Sequence, residues 1–229
     1  MTKNSIFFVI ALFSITITTA QVKLEKIKGS KIVTVTTKEV ESFENVEIEE
    51  FLDVYFVKSE KTSIEIEADD NLHDIISYNV LGNTLKLTAL KQPTGEKKLA
   101  IRVNYNDSLK TIVARHESKI NALADITLEN ITIKNFDKSQ SFLKIRSTNF
   151  TLIMTDKSKA EINVKADKTT VELSKDAQVK GLIASPEAKI DLYQKAEAEI
   201  EGDAKIAKIR LDNNSSLIAK KFTVKDMEL

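Results

Sequence analysis

No cysteine occurs in the 229 residues, so disulfides, thiolate zinc ligands and a lipidated N-terminal cysteine of the bacterial lipoprotein kind are all excluded. Tryptophan is missing, aromatic residues make up 6% of the chain, and five glycines and two prolines are its only backbone specials. So few glycines leave no room for the Gly-rich nonapeptide coils that bind calcium. An excess of charge of one sign is lacking too. The 34 acidic and 34 basic residues balance to a net charge of zero, and nothing favours nucleic acid or an anionic membrane surface. Long apolar runs are absent. The one at Ile6–Phe13 is too short for a stable membrane span.

That short run has another use. Lys3 supplies a positive start, residues 6–13 an apolar core, and Thr18-Thr19-Ala20 a small-residue end before Gln21. This is the pattern of a cleaved secretory signal over residues 1–20. An exported chain without disulfides must be held by packing and strand pairing alone, and it leans towards a bacterial source.

What the sequence does have is a repeat. From Ala122 to about Ser216, residues 19 apart fall into columns. One holds Ala122, Ser141, Ala160, Val179 and Ala198; the next holds Ala124, Leu143, Ile162, Gly181 and Ile200. Ile126, Ile145, Val164, Ile183 and Gly202 follow. After a change of parity come Ile133, Leu152, Val171, Ile190 and Ile209, with Asn135, Met154, Leu173, Leu192 and Leu211 beside them. A fixed period of this kind marks a repeat architecture. Within each coil apolar residues alternate, as in a strand with one buried face. The parity change after Ala166 is a corner, and a short polar group such as Asp156-Lys157-Ser158 closes each coil.

Strands that follow their equivalents one coil later must run parallel. The chain is therefore expected to be all-β, a right-handed single-stranded parallel β-helix, or β-solenoid, with 19-residue coils and a β-rich N-terminal region. The handedness follows from the general rule for parallel crossovers. Gly181 and Gly202 beside Ile183 and Ile200 alternate small with large, which fills a narrow core without voids.

The organisation expected is a signal over residues 1–20, a lead strand over 21–42, a β-rich part over 43–121, and coils with a C-terminal cap over 122–229. In the β-rich part Asp69-Asp70-Asn71 precedes a short helical turn, where an Asx oxygen suits freed N–H groups. Gly82-Asn83 makes a two-residue hairpin turn. Towards the other end, Lys221 falls in a formerly inward column and Phe222-Thr223-Val224 takes the opposite parity, which suggests the cap.

These features in this order resemble a known family. Phe43-Glu44-Asn45-Val46 and Asp53-Val54-Tyr55-Phe56 look like its opening strands, Ile64 to Leu72 like its "v-v-v-a-d-d-n-l" stretch, and Leu81 to Leu87 like its "dG-x-L-x-I" hairpin. The family is the auto-transporter adhesin head GIN domain, DUF2807, of exported proteins common in Bacteroidetes. The resemblance covers residues 43–224. It implies a right-handed single-stranded β-helix and an adhesin-like role, and it brings no catalytic motif. This chain departs from it in having Asp, Lys and Asn turns where members are often Gly-rich.

Catalysis in a β-helix needs carboxylates or bases gathered on one outer wall. The outward columns argue otherwise, because Glu161, Lys180 and Glu199 alternate in sign, and Glu172, Asp191 and Arg210 form a second column of mixed sign. Such ladders support a sheet by roughly 0.2–1 kcal/mol per pair. Glu172 with Asp191 is the one pair that could form a dyad. Asp137, Asp156, Asp176 and Asn213 at the turns suit turn geometry on their own account, and lysines share their ladder. His73 and His116 are far apart in sequence; His116, aligned with Asn135, is expected in the interior or at the junction as a capping polar group. No catalytic residue, cofactor or metal site is expected.

A binding surface has the better case. Phe51, Tyr55 and Phe56 cannot all face inward on one alternating strand, and Phe142, Ile153, Leu182 and Ile218 stand at outward positions. Phe51, Tyr55, Phe142, Ile153, Leu182 and Ile218 are the candidate interaction surface, since grouped exposed apolar residues mark a contact. The partner expected is a protein or glycan, for a non-catalytic protein of the periplasm, cell surface or medium. The alternatives are a periplasmic scaffold and a carbohydrate-active β-helix enzyme.

Overall fold

The structure, a computed structural model, describes residues 24–228; the expected signal segment lies outside them. In chain order the strands are β1 (Lys26–Lys28), β2 (Val33–Glu39), β3 (Asn45–Glu49), β4 (Asp53–Lys58) and β5 (Ser63–Asp69). A 3₁₀ turn, Asp70–Ile75, leads to β6 (Ile76–Leu81), β7 (Thr84–Ala89), β8 (Gln92–Thr94) and β9 (Leu99–Tyr105). Then come β10 (Thr111–Ala114), β11 (Lys119–Ala122), β12 (Ile126–Asn135) and the long strands β13 (Gln140–Met154), β14 (Lys159–Leu173), β15 (Gln178–Leu192), β16 (Glu197–Leu211) and β17 (Ser216–Glu228).

From β13 to β16 the strands pair in parallel, and every ladder partner lies 19 positions on. The inward columns are buried, the outward ones exposed, and the chain is a β-solenoid of about six turns. Period two within a strand decides the faces. Equal spacing between corners keeps each column in phase, so the hydrophobic pattern alone fixes the register. Gly181 lies between Ile162 and Ile200, where an added Cβ would stand 3.1 Å from the tip of Ile200.

The first coil breaks the period. Ile120 pairs with Ser141 and Ala114 with Asn135, both 21 apart, whereas Ile126 pairs with Ile145, 19 apart. Two extra residues bulge out between β11 and β12, so Ile120 and not Ala122 heads the first inward column. The same offset moves His116. It pairs with the corner and not with the interior, beside Asp137, whose carboxylate accepts from the His116 N–H at 3.1 Å.

That corner is a ladder of left-handed residues: His116, Asp137, Asp156, Lys175 and Gln194, with φ between 54° and 63°. Asp and His enter this region more readily than most residues. Lys175, not Asp176, occupies the column, and its Nζ meets the Asp156 carboxylate at 2.5 Å. The acids therefore do not stack into a cation ladder.

Further parallel pairing continues the stack towards the N-terminus. β3 lies between β7 and β10, and β4 lies between β9 and β11. The antiparallel strands β2, β5 and β6 close this end. Asp69, fully buried, ties the closure together by accepting from the backbone N–H of Lys31, Lys97 and Lys98. Burial pushes its carboxyl up, but those three donors outweigh it and hold it below the usual aspartate range. Its side chain thus latches the lead segment and does not cap the 3₁₀ turn.

At the other end the shift of parity is a β-bulge and not a cap. Glu199 pairs with Ile218 and Glu201 with Lys221, so one extra residue is absorbed in β17. Phe222 then stacks on Gly202 and Val224 on Ala204, and both resume the inward columns half-buried.

Candidate functional site

Pairing places one outer wall of the solenoid in register from Tyr55 to Ile218. Its main column runs Tyr55, Asn121, Phe142, Glu161, Lys180, Glu199 and Ile218. The next column runs Lys144, Asn163, Leu182, Glu201 and Lys221, and a third Arg146, Lys165, Ala184, Asp203 and Thr223. Neighbouring rungs are about 4.8 Å apart.

Four of the six expected contact residues share this wall. Phe142, Leu182 and Ile218 are 40%, 46% and 51% exposed, and Tyr55 is half-buried with its hydroxyl 3.2 Å from Asp53. Between the first two columns runs a groove of about 590 Å³ that includes Phe142, Glu161, Lys180 and Leu182. A smaller groove of about 220 Å³ lies between Tyr55 and Leu123. Leu123, 61% exposed, was not visible as a contact residue from the repeat. It sits in the two-residue bulge between β11 and β12; because such an insertion keeps parity, the sequence alternation carried no sign of it.

Ile153 and Phe51 lie elsewhere. Ile153 pairs with Lys134 and Glu172 on the second wall and is half-buried. Phe51, itself at φ 50°, borders a corner groove of about 340 Å³ with Glu50, His116 and Asp137. His116 Nδ1 lies 2.9 Å from the Glu50 carboxylate. Burial raises the Glu50 carboxyl, His116 opposes that, and Glu49, Glu117 and Asp137 add to it. Among the described residues no cluster of three or more His, Asp or Glu is placed to hold a metal ion.

The second wall also carries the one pair that could have formed a catalytic dyad, and its chemistry is different. Asp191 is buried, with its two oxygens 2.7 Å from Arg210 Nε and Nη2 and one 2.9 Å from Lys189 Nζ. The Arg210 bonds hold its carboxyl below the usual range against the opposing effect of burial, and Lys189 helps. A glycosidase acid needs the reverse, a carboxyl raised towards neutrality. Asp191 is the anchor of an ion cluster.

A wall built from 19-residue coils and bounded by these grooves is an architecture that can be compared with known proteins. The family model described as "Putative auto-transporter adhesin, head GIN domain" matches residues 42–229. The chain belongs to this family. No curated protein matches it in sequence. Among solved structures, a "putative adhesin" from Parabacteroides distasonis ATCC 8503 is similar with TM-score 0.65 and 14% identity, covering 87% of this chain and 99% of that one. A "putative lipid binding protein" from the same organism gives TM-score 0.64 and 13% identity over 90% and 100%. A "putative adhesin" from Bacteroides fragilis NCTC 9343 gives 0.63 and 17% over 89% and 100%. At such identities the likeness is one of fold. No described helix is long and apolar enough to cross a membrane.

Proposed function

We propose that this head GIN domain is an exported, non-catalytic binding module of the cell envelope that binds through the Tyr55–Ile218 wall. The observation that carries the reading is the cluster of exposed Phe142, Leu182 and Leu123 along grooves on one flat, stacked face. Large side chains left in water on an otherwise charge-laddered surface mark a contact. The adhesin descriptions of the family and of the structures similar in fold agree with it.

The test is binding of the purified protein to an array of glycans and matrix proteins, beside Phe142→Ser/Leu182→Ser. The wild type is expected to give saturable signals that the double variant loses by at least tenfold. Signals unchanged in the variant would remove the wall from the reading.

A periplasmic scaffold is the second reading, favoured by axial charge pairs such as Lys168–Glu187 and Lys208–Glu228, which stabilise the stack without addressing a ligand. Protease shaving of intact source cells separates the two. Peptides of this protein released without lysis are the expected result; release only after the outer envelope is opened would put the scaffold first.

A further inference from the structure

The wall is self-complementary, and we propose that it pairs with the same wall of a second copy of this chain, around a two-fold axis lying in the wall between β14 and β15 and parallel to them. This rests on reading the wall as a binding face.

The argument begins with charge. Two of the wall's charged residues on β13 are basic, Lys144 and Arg146, while β16 presents Glu197, Glu199, Glu201 and Asp203. A closed two-fold contact sets residue i against j and j against i. Rotation about the stated axis exchanges β13 with β16 and β14 with β15 and preserves position along the strand. Lys144 then faces Glu201 of the other copy, Arg146 faces Asp203, and Glu161 faces Lys180. No like charges are opposed. Moving the axis onto β15 sets Lys180 against itself and Glu161 against Glu199. Moving it onto β14 sets Lys159, Glu161 and Lys165 each against itself.

The same operation gathers the exposed apolar residues. The two Leu182 side chains flank the axis, one rung apart across the contact. β11 is exchanged with β17, so Leu123 of one copy comes to the rim beside Ile218 of the other, and Phe142 lies one rung from that Ile218. Among the described residues Lys144, Glu161, Lys165 and Asp203 form no salt bridge within the chain, which leaves them free for a partner. Arg146 has an intrachain partner in Asp125 and Glu201 one in Lys221, while Lys180 and Glu199 pair with each other. The new pairs extend these ladders.

Six rungs of about 4.8 Å by some eight residues of about 3.3 Å give a footprint of roughly 760 Å² per copy, close to the standard size of a specific interface. Its core is charged and not apolar, so the contact is sensitive to salt, since exposed charges are screened beyond about 10 Å at 0.1 M. Dimers should form at high local concentration, as on a crowded envelope.

Sedimentation equilibrium of the full exported chain, from low to several hundred micromolar, tests this with charge-reversed pairs. Wild type is expected to show a monomer–dimer equilibrium that weakens at least tenfold in ~0.5 M salt. Lys144→Glu/Arg146→Glu and Glu201→Lys/Asp203→Lys should each be monomeric, because each sets like charges against one another. Mixed in equal amounts, they should form the dimer again. Lys157→Glu, at the corner and off the wall, should leave the constant within about twofold. Circular dichroism checks that each exposed substitution leaves the fold intact. A wild type monomeric throughout overturns the proposal, and so does a mixture that fails to associate or reversed variants that pair as well as wild type. If the chain stays monomeric while the array signals still depend on Phe142 and Leu182, the wall serves a foreign ligand; self-association is then overturned and the binding role stands.

Discussion

Gly202→Ala is expected to destabilise the C-terminal coils by about 3 kcal/mol or more. Two effects act at one atom. Gly202 holds φ at 110°, a region essentially closed to residues with a side chain, where such a conformation costs roughly 1–3 kcal/mol. An added Cβ would also stand 2.1 Å from the Ile183 carbonyl oxygen on the neighbouring rung. That neighbour is backbone and cannot swing away as a side chain tip can. Relief requires β16 to move off β15, which opens the ladder next to the bulge of β17. Because each coil contacts only its neighbours, damage of this kind spreads to the free end more readily than to the core. Urea unfolding and hydrogen exchange should show a lowered midpoint and early exchange across β16 and β17. Gly181→Ala is the control. There the Cβ meets the flexible tip of Ile200 at 3.1 Å and φ is ordinary, so the change should lie within about 1 kcal/mol, with the lower entropy of the unfolded chain partly offsetting the contact. Equal effects at the two positions would sink the account.

These two glycines also show how far the sequence could be read. Their place in inward columns beside large aliphatics was legible, because the column pattern needs only period two and a constant coil length. The positive φ of Gly202 was not; the glycine lies one residue past the register shift between β16 and β17, which the column pattern of β16 does not announce. The first coil shows the same limit. Alternation persists through Ala122 and Ala124, so a two-residue insertion, which preserves parity, leaves the pattern looking intact while every residue before it moves by one column position. Of the two places open to His116, interior or junction, that shift selects the corner. A one-residue insertion flips parity and is visible at once, as at Lys221; what it means, bulge or cap, is decided by whether the partner strand continues to pair. Asp69-Asp70-Asn71 was readable as a turn signal, but the donors that Asp69 accepts from lie 28 to 38 residues away. No local spacing encodes them. Outward positions of the wall could be named singly from the repeat, and Tyr55 joined Phe142 only through Asn121, across the irregular coil.

Arg210→Ala is expected to destabilise the fold more than Asp191→Ala, although the two side chains form one cluster. Removing Asp191 leaves an Arg210 side chain that is 50% exposed and can be solvated, and the loss is that of its charge-assisted hydrogen bonds, about 1–3 kcal/mol. Removing Arg210 leaves the Asp191 side chain, 3% exposed, with Lys189 alone. A buried charge short of partners is destabilising in itself. The pH dependence has a definite sign. In the fold the Asp191 carboxyl titrates below its ordinary value, chiefly through the Arg210 bonds. Its contribution is therefore fully present above the unfolded value of about 3.9 and is lost as the pH falls from there through the folded value. Urea midpoints of the wild type and Asp191→Ala should differ at pH 7 and converge as the pH drops below about 4. For Arg210→Ala, acid should relieve the stranded carboxylate, so its deficit against the wild type also narrows on acidification. Deficits that stay constant from pH 7 to below pH 4, or an Asp191→Ala loss exceeding that of Arg210→Ala, would mean that packing and not charge holds this wall.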